Sequence, residues 1–217
     1  MKIKSKNINK NAWQSWYPKK EKIDKDMPLL EEIFRKNGAS KILDAGCGIG
    51  RHTIYFTEKG FKVYGFDFSP YAVKRAKERL KEKRLRADLK IWDIRRKVPY
   101  KDNFFDALLS IRVFHHNNSK TIKKIIEEFS RVVKKGGFIY IQVPPRQIML
   151  KYAMFDERKG KNGSKIEEGT YIPDHGSEKG IPHHSFTKTE LKKLFSDFKI
   201  KKIGLRDGQY NLLGVKK

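Results

Sequence analysis

Ile42-Leu43-Asp44-Ala45-Gly46-Cys47-Gly48-Ile49-Gly50 decides the reading of this chain. A short apolar strand enters the run, an acid ends that strand, three glycines follow at alternate positions, and a helical pattern opens at Arg51. Glycine leaves out the Cβ where a backbone must turn sharply and approach a ligand. The helix that follows turns its unpaired N–H groups toward that ligand. The dinucleotide fingerprint is G-x-G-x-x-G, and here the spacing is G-x-G-x-G. Working outward, Val63-Tyr64-Gly65-Phe66 is the next apolar run, and Asp67 ends it. The acid follows by about 20 residues, where the ribose-binding carboxylate of a nucleotide-binding βαβ unit stands.

Asp44-x-Gly46-x-Gly48-x-Gly50 followed by Asp67 resembles a class I S-adenosylmethionine-dependent methyltransferase of the small-molecule type. Trp92-Asp93-Ile94 resembles that family's third-strand segment. Phe105-Asp106-Ala107-Leu108-Leu109-Ser110 resembles its fourth strand, and Phe129 to Gly137 resembles the helix and turn before its fifth. The likeness covers residues 40 to 143, with a weaker match in the last 30 residues. It implies a Rossmann-like α/β fold: a seven-stranded, mostly parallel sheet with an antiparallel last strand and helices on both faces. It implies S-adenosyl-L-methionine as cofactor and an enzyme that transfers its methyl group.

The same resemblance assigns roles. Asp67, with Phe68 beside it, belongs at the ribose, and Asp93 and Ile94 at the adenine. Asp44 belongs near the cofactor's amino group, and Ser110 to Arg112, with His115, near its methionine portion. Trp13 and Tyr17 are four apart, so on a helix they share a face, and the family often lays an N-terminal segment over its cofactor. Imidazole suits general-base work near neutral pH, which makes His116, just past the fourth strand, and His183 candidate catalytic groups. A metal site from histidine with Asp174 or Glu178 is not expected, because no spacing places such residues on one helical face.

The helix and strand pattern agrees with an alternating fold. Leu29, Leu30, Ile33 and Phe34 recur at helical spacing until Asn37-Gly38 stops them. Ser69-Pro70 reads as an N-cap with proline opening a helix, and Ser119 as the cap of another. The fifth strand is expected over Phe138 to Val143. Thr187-Lys188-Thr189-Glu190 is a capping-box pattern, and Phe198 to Leu205 with Gln209 to Val215 read as a terminal strand pair. Residues 145 to 186 break the rhythm with scattered glycines and mixed charge. So long an irregular loop in a compact domain is usually functional, and it reads as a mobile lid carrying Tyr152, Phe155, Tyr171, His175 and His183 over the acceptor. One methyltransferase domain over 1–217 is expected: a cap segment 1–40, a cofactor-binding core 41–143, the lid and substrate insertion 145–186, and a C-terminal helix and strand pair 187–217.

The bulk numbers bound the partners. No apolar run approaches the roughly 20 residues of a membrane span. The single cysteine, Cys47, sits in the glycine loop, so no disulfide framework or cysteine zinc site forms within the chain, and a cytoplasmic setting fits. The net charge of +25 would attract nucleic acid or an anionic substrate, but lysines are spread along the whole chain and outnumber the arginines that favour phosphate and base recognition. The fourth strand is followed by Ser110-Ile111-Arg112-Val113, without the N/D-P-P-Y/F of base-modifying relatives or a nucleophilic cysteine. A small-molecule acceptor is therefore expected, handled by a monomer or homodimer. A tRNA or rRNA acceptor stands second, and a non-catalytic cofactor-binding regulator third.

Overall fold

The computed structural model describes residues 22–147 and 163–217; Trp13, Tyr17, Tyr152 and Phe155 lie outside the described residues. Strand β1 (Lys41–Ala45) is central and buried, and it pairs in parallel with β2 (Lys62–Asp67) on one side and β4 (Phe105–Ile111) on the other. Beyond β2 lies β3 (Asp88–Ile91), and beyond β4 lies β5 (Val133–Val143). The sheet ends with β10 (Gln209–Lys216) and β9 (Phe198–Arg206), giving the order β3-β2-β1-β4-β5-β10-β9. Only β10 runs against the rest, as expected of an antiparallel last strand. The Asp207-Gly208 turn that reverses it holds both residues at positive φ, the primed-turn signature of a tight hairpin.

Period-two alternation sorts the strands' side chains onto two faces. Ile42, Val63, Ala107, Leu109 and Phe138 pack with Met27, Leu30 and Phe34 of α1 (Met27–Lys36) and Phe56 of α2 (Arg51–Glu58). Leu43, Phe66, Phe105, Leu108 and Ile139 pack on the other face. Their partners are Ile122, Ile125, Ile126 and Phe129 of α4 (Ser119–Val132) and Leu191 of α5 (Lys188–Leu194). Phe34 is fully buried between Phe56 and Phe138, with centroids 5.8 and 5.6 Å away, so its loss would cost about 3–5 kcal/mol. Helix α3 (Pro70–Glu82) starts as its sequence predicts, with the Ser69 hydroxyl accepting from Ala72 N at 3.3 Å. Thr187 and Glu190 complete the expected capping box on α5.

Three expectations are corrected. Asn118, not Ser119, caps α4, its side-chain oxygen accepting from Thr121 N at 2.9 Å. Ser119 is released to donate through N and Oγ to the Glu167 carboxylate at 2.6 and 2.9 Å, a partner 48 residues away. Strand β5 begins at Val133 rather than Phe138, because Gly136, at φ +76°, kinks the chain without ending its pairing with β4. The described part of the insertion is a sheet, not an irregular loop: β6 (Gly163–Glu167), β7 (Thr170–Pro173) and β8 (His183–His184) pair antiparallel. The strands are too short for their alternation to outweigh the glycines in the sequence. Gly169, at φ +78°, turns the first hairpin.

Candidate active site at the switch point of the sheet

The chain runs outward from β1 to β3 and then returns to place β4 beside β1. Ligands bind outside the carboxyl ends of the strands at such a reversal. A cavity of about 660 Å³ opens there, walled by the glycine loop, Asp67, the tip of β4 and the β7–β8 connection. Its size lies within the roughly 300–1,000 Å³ of small-molecule sites.

Gly46 has φ +84°, and a Cβ on it would lie 2.4 Å from Val113 Cγ2, so the loop and the segment after β4 approach as only glycine permits. Gly50 is also left-handed, and its absent Cβ would stand 2.9 Å from Ala76 Cβ on α3. Gly46 N and Cys47 N both donate to Phe66 O, at 2.8 and 3.0 Å, folding the loop back on β2. Asp67 locks it: Oδ2 accepts from Gly48 N at 3.0 Å and Oδ1 from Ser69 N at 2.9 Å. Burial raises the Asp67 pKa, the two N–H donors oppose that, and the Asp44 charge adds to it. A carboxylate has about four acceptor positions, so two remain for hydroxyls in the cavity.

Phe68, Asp93, Ile94, His115, His116 and His183 all line the cavity, as do Gly46 and Gly48. Asp93 is held by Arg95 in a fork, Nε to Oδ1 at 2.9 Å and Nη2 to Oδ2 at 2.5 Å. Asp44 and Ser110 are buried beneath the wall rather than in it. Asp44 Oδ2 accepts from Thr53 Oγ1 at 2.7 Å, so it ties the strand end to α2. His175 is exposed and bonded to Asp174 at 2.6 Å, away from the cavity, and Tyr171 is buried in β7 outside its wall. Cys47 is in the wall, but burial, with Asp44 and Asp67 nearby, pushes its thiol well up and keeps it from acting as a nucleophile.

Arg51 and His52 also line the cavity, and the carboxylate that holds them was not legible in the sequence. Asp24 accepts from Arg51 Nη2 at 2.9 Å and meets His52 Nε2 at 2.8 Å, docking residues 22–26 on the start of α2. Burial alone would raise the Asp24 pKa; the His52 hydrogen bond and the charges of Arg51, His52 and Arg112 outweigh it and bring it to about 2. Arg112, at the β4 tip, sits at φ +60°, a conformation rare outside glycine and frequent at functional sites. The sequence places it at the strand tip, and the cavity wall includes it.

The two histidine segments meet at the far end of the cavity. His184 N donates to His115 O at 2.7 Å and pins β8 to the turn after β4. Ring centroids lie 3.8 Å apart for His115 and His116, and 4.7 Å for His116 and His183. One nitrogen of each ring lies within 4.8 Å of one from each of the others. This juxtaposition was hidden from sequence because it joins residues from separate segments through tertiary contact. Burial lowers all three pKa values, helped in His115 and His116 by the neighbouring imidazoles: His116 to about 3, His183 to about 4, and His115 well below its ordinary value. Such imidazoles are uncharged near neutrality and are weak bases.

The comparisons with known proteins agree with this geometry. Residues 42–137 match the family model of the methyltransferase domain. The chain is 31% identical over 139 residues to the uncharacterized protein MJ0638 of Methanocaldococcus jannaschii, covering 64% of this chain and 56% of that protein. It is 40% identical over 105 residues to the tRNA (carboxymethyluridine(34)-5-O)-methyltransferase of Arabidopsis thaliana, covering 48% of this chain and 24% of that protein. The chain thus spans about half or less of the length of these curated relatives. Other matches are named for tRNA cytidine and for a phytyl hydroquinone. The solved structure of the PH0226 protein from Pyrococcus horikoshii OT3 superposes with a TM-score of 0.75 at 22% identity, covering 97% of this chain and 94% of that one. The seven-stranded sheet, the glycine loop locked by Asp67 and the methyltransferase-domain match over residues 42–137 make this chain similar to the class I S-adenosylmethionine-dependent methyltransferases.

Proposed function

We propose that the chain transfers a methyl group from S-adenosylmethionine to a small-molecule acceptor held between the β4 tip and the β7–β8 connection. The observation that carries this reading is the single continuous cavity, which runs from the glycine loop to His115, His116 and His183. The bound cofactor supplies a methyl carbon already activated by its sulfonium charge. The protein's task is to align the acceptor, exclude water and accommodate the acceptor's proton.

Gly46 and Gly48 bring the loop backbone to the cavity wall, Gly50 lets α3 pack against the loop, and Asp67 has acceptor positions for the cofactor's ribose hydroxyls. Phe68 and Ile94 offer apolar surface to the adenine, while Asp93 reaches its amine if Arg95 yields. Asp44 acts from beneath, by fixing the loop through Thr53. Glu178, Ile181 and His183 roof the other end, where an acceptor of modest size fits beside the cofactor. His116 and His183 contact the acceptor there as uncharged rings and orient it.

Incubation with labelled S-adenosylmethionine, a panel of small hydroxyl, thiol and amine compounds, and bulk tRNA tests the reading. Labelled small-molecule product is expected. A second reading, a tRNA acceptor, draws on the net charge of +25. Diffuse surface lysines give nonspecific binding of about 10⁻⁴ to 10⁻⁶ M at physiological salt. Submicromolar tRNA binding at that salt, with methyl incorporated at one nucleotide, would overturn the small-molecule reading.

A further inference from the structure

We propose that His115, His116 and His183 form a three-imidazole site for a divalent first-row transition-metal cation, of the zinc class, at the acceptor end of the cavity. Three features argue for a site rather than a chance packing of rings. First, their ligand nitrogens all lie within 4.8 Å of one another. Around a tetrahedral cation with metal–nitrogen bonds of about 2.05 Å, those separations would be about 3.4 Å, so closure asks for shifts on the order of 1 Å in side chains.

Second, His115 Nδ1 and His183 Nε2 are buried and accept or donate no hydrogen bond. The side chains that carry them are 7% and 6% exposed. Buried polar atoms are nearly always paired, so two unpartnered nitrogens on the rings of one cluster call for a partner. Glu178 Oε2 stands 3.5 Å from His183 Nε2, too far for a good hydrogen bond but close enough to bring negative charge to a cation. Third, the backbone builds the convergence: the His184 N to His115 O bond at 2.7 Å holds the two contributing segments together.

Three histidines with a further position open are the ligand pattern of catalytic rather than closed structural sites. All three rings also line the cavity, so the open position faces the acceptor space. The role of the cation rests on the methyl-transfer reading above. An acceptor hydroxyl or thiol in the open position would be held as its conjugate base, its proton passing to water. Its lone pair forms the bond to the methyl carbon while the carbon–sulfur bond breaks and those electrons return to sulfur.

The test uses the full chain without an affinity tag, stripped with chelator and titrated with Co²⁺, whose visible absorption reports a tetrahedral nitrogen site. Zn²⁺ is then added in competition, and S-adenosylhomocysteine binding is measured by calorimetry in parallel. One Co²⁺ per chain, displaced by Zn²⁺, is expected. Loss of a second-shell partner already costs about 10- to 100-fold in metal affinity, so His116→Ala or His183→Ala should cost about 100-fold or more. S-Adenosylhomocysteine affinity should stay within about threefold, which also shows that the variants are folded. His175→Ala, at the exposed His175–Asp174 pair, should change neither. A wild-type chain with no saturable Co²⁺ or Zn²⁺ binding would overturn the site, as would binding that survives in the double variant. If the alanine variants lose S-adenosylhomocysteine as well, the wild-type Co²⁺ spectrum decides, with tetrahedral bands upholding the site and their absence overturning it. Metal binding without any S-adenosylhomocysteine binding would uphold the site and overturn the methyl-transfer reading.

Discussion

Replacing Asp67 by alanine removes two things at once, and the structure separates their sizes. In the free protein the carboxylate accepts from Gly48 N and Ser69 N at 3.0 and 2.9 Å. Losing it leaves both donors seeking water. Asp67 lines an open cavity, so water can reach them, and the stability cost falls near the lower end of about 1–3 kcal/mol. In the proposed cofactor pose, the same carboxylate also accepts from ribose hydroxyls, as charge-assisted bonds in a partly closed site. Those are worth about 2–3 kcal/mol together, a loss of roughly 30- to 150-fold in affinity. Calorimetric titration with S-adenosylhomocysteine reads the second effect and a thermal melt the first. Asp67→Asn keeps the volume but sets an amide donor against one of the two N–H groups, so its affinity should fall at least as far. A dissociation constant unchanged in both variants would refute the ribose assignment. An unchanged melting temperature would refute the locking role of the carboxylate in the loop.

Three further outcomes follow from the same contacts. Gly46→Ala should destabilise the fold by about 1–3 kcal/mol through overpacking against Val113, and Val113→Ala in the same chain should recover the steric part while leaving about 1 kcal/mol of left-handed strain, both read by denaturant melts. Asp24, brought to about 2 from 3.8, contributes stability that is fully present above pH 3.8 and is lost as the pH falls toward 2; Asp24→Asn should remove about 2 kcal/mol at neutral pH and flatten the stability curve across that window. Glu167→Ala breaks the bonds from Ser119 N, Ser119 Oγ and Thr170 Oγ1, so amide exchange should quicken in β6 to β8 while β1 and β4 keep their protection; equal rates would show that the small sheet is held elsewhere.

What the sequence disclosed depended on how local the determinant was. The glycine loop, Asp67, the Ser69-Pro70 start of α3 and the Thr187 capping box each lie within a few residues, and each formed as its chemistry dictates. The order of the sheet was legible through resemblance because several local motifs occur in a fixed sequence. Ser119 misled because Asn118 can cap equally well, and the choice between them was made by Glu167, far along the chain. The insertion misled for a related reason: its two-residue strand β8 exists only because β7 is there to pair with it. Asp24 and the convergence of the three histidines carry no local mark at all. Each is defined by a partner that the fold brings up from another segment.

The insertion's attachments bear on catalysis as well as stability. Ser119 to Glu167, Arg146 to Glu190, and His184 N to His115 O all join the insertion to the rest of the fold. Misplacing a reacting group by about 1 Å can cost 10²-fold in rate, so a roof over the acceptor must be registered to the strand that positions the cofactor. A free lid would achieve that only on closing. Here the described part is already pinned by a backbone hydrogen bond one residue from His183 and by Glu167, at the turn of the hairpin, which holds Ser119. The acceptor end of the cavity is therefore a built surface, fixed by the same contacts that bring the three histidines together.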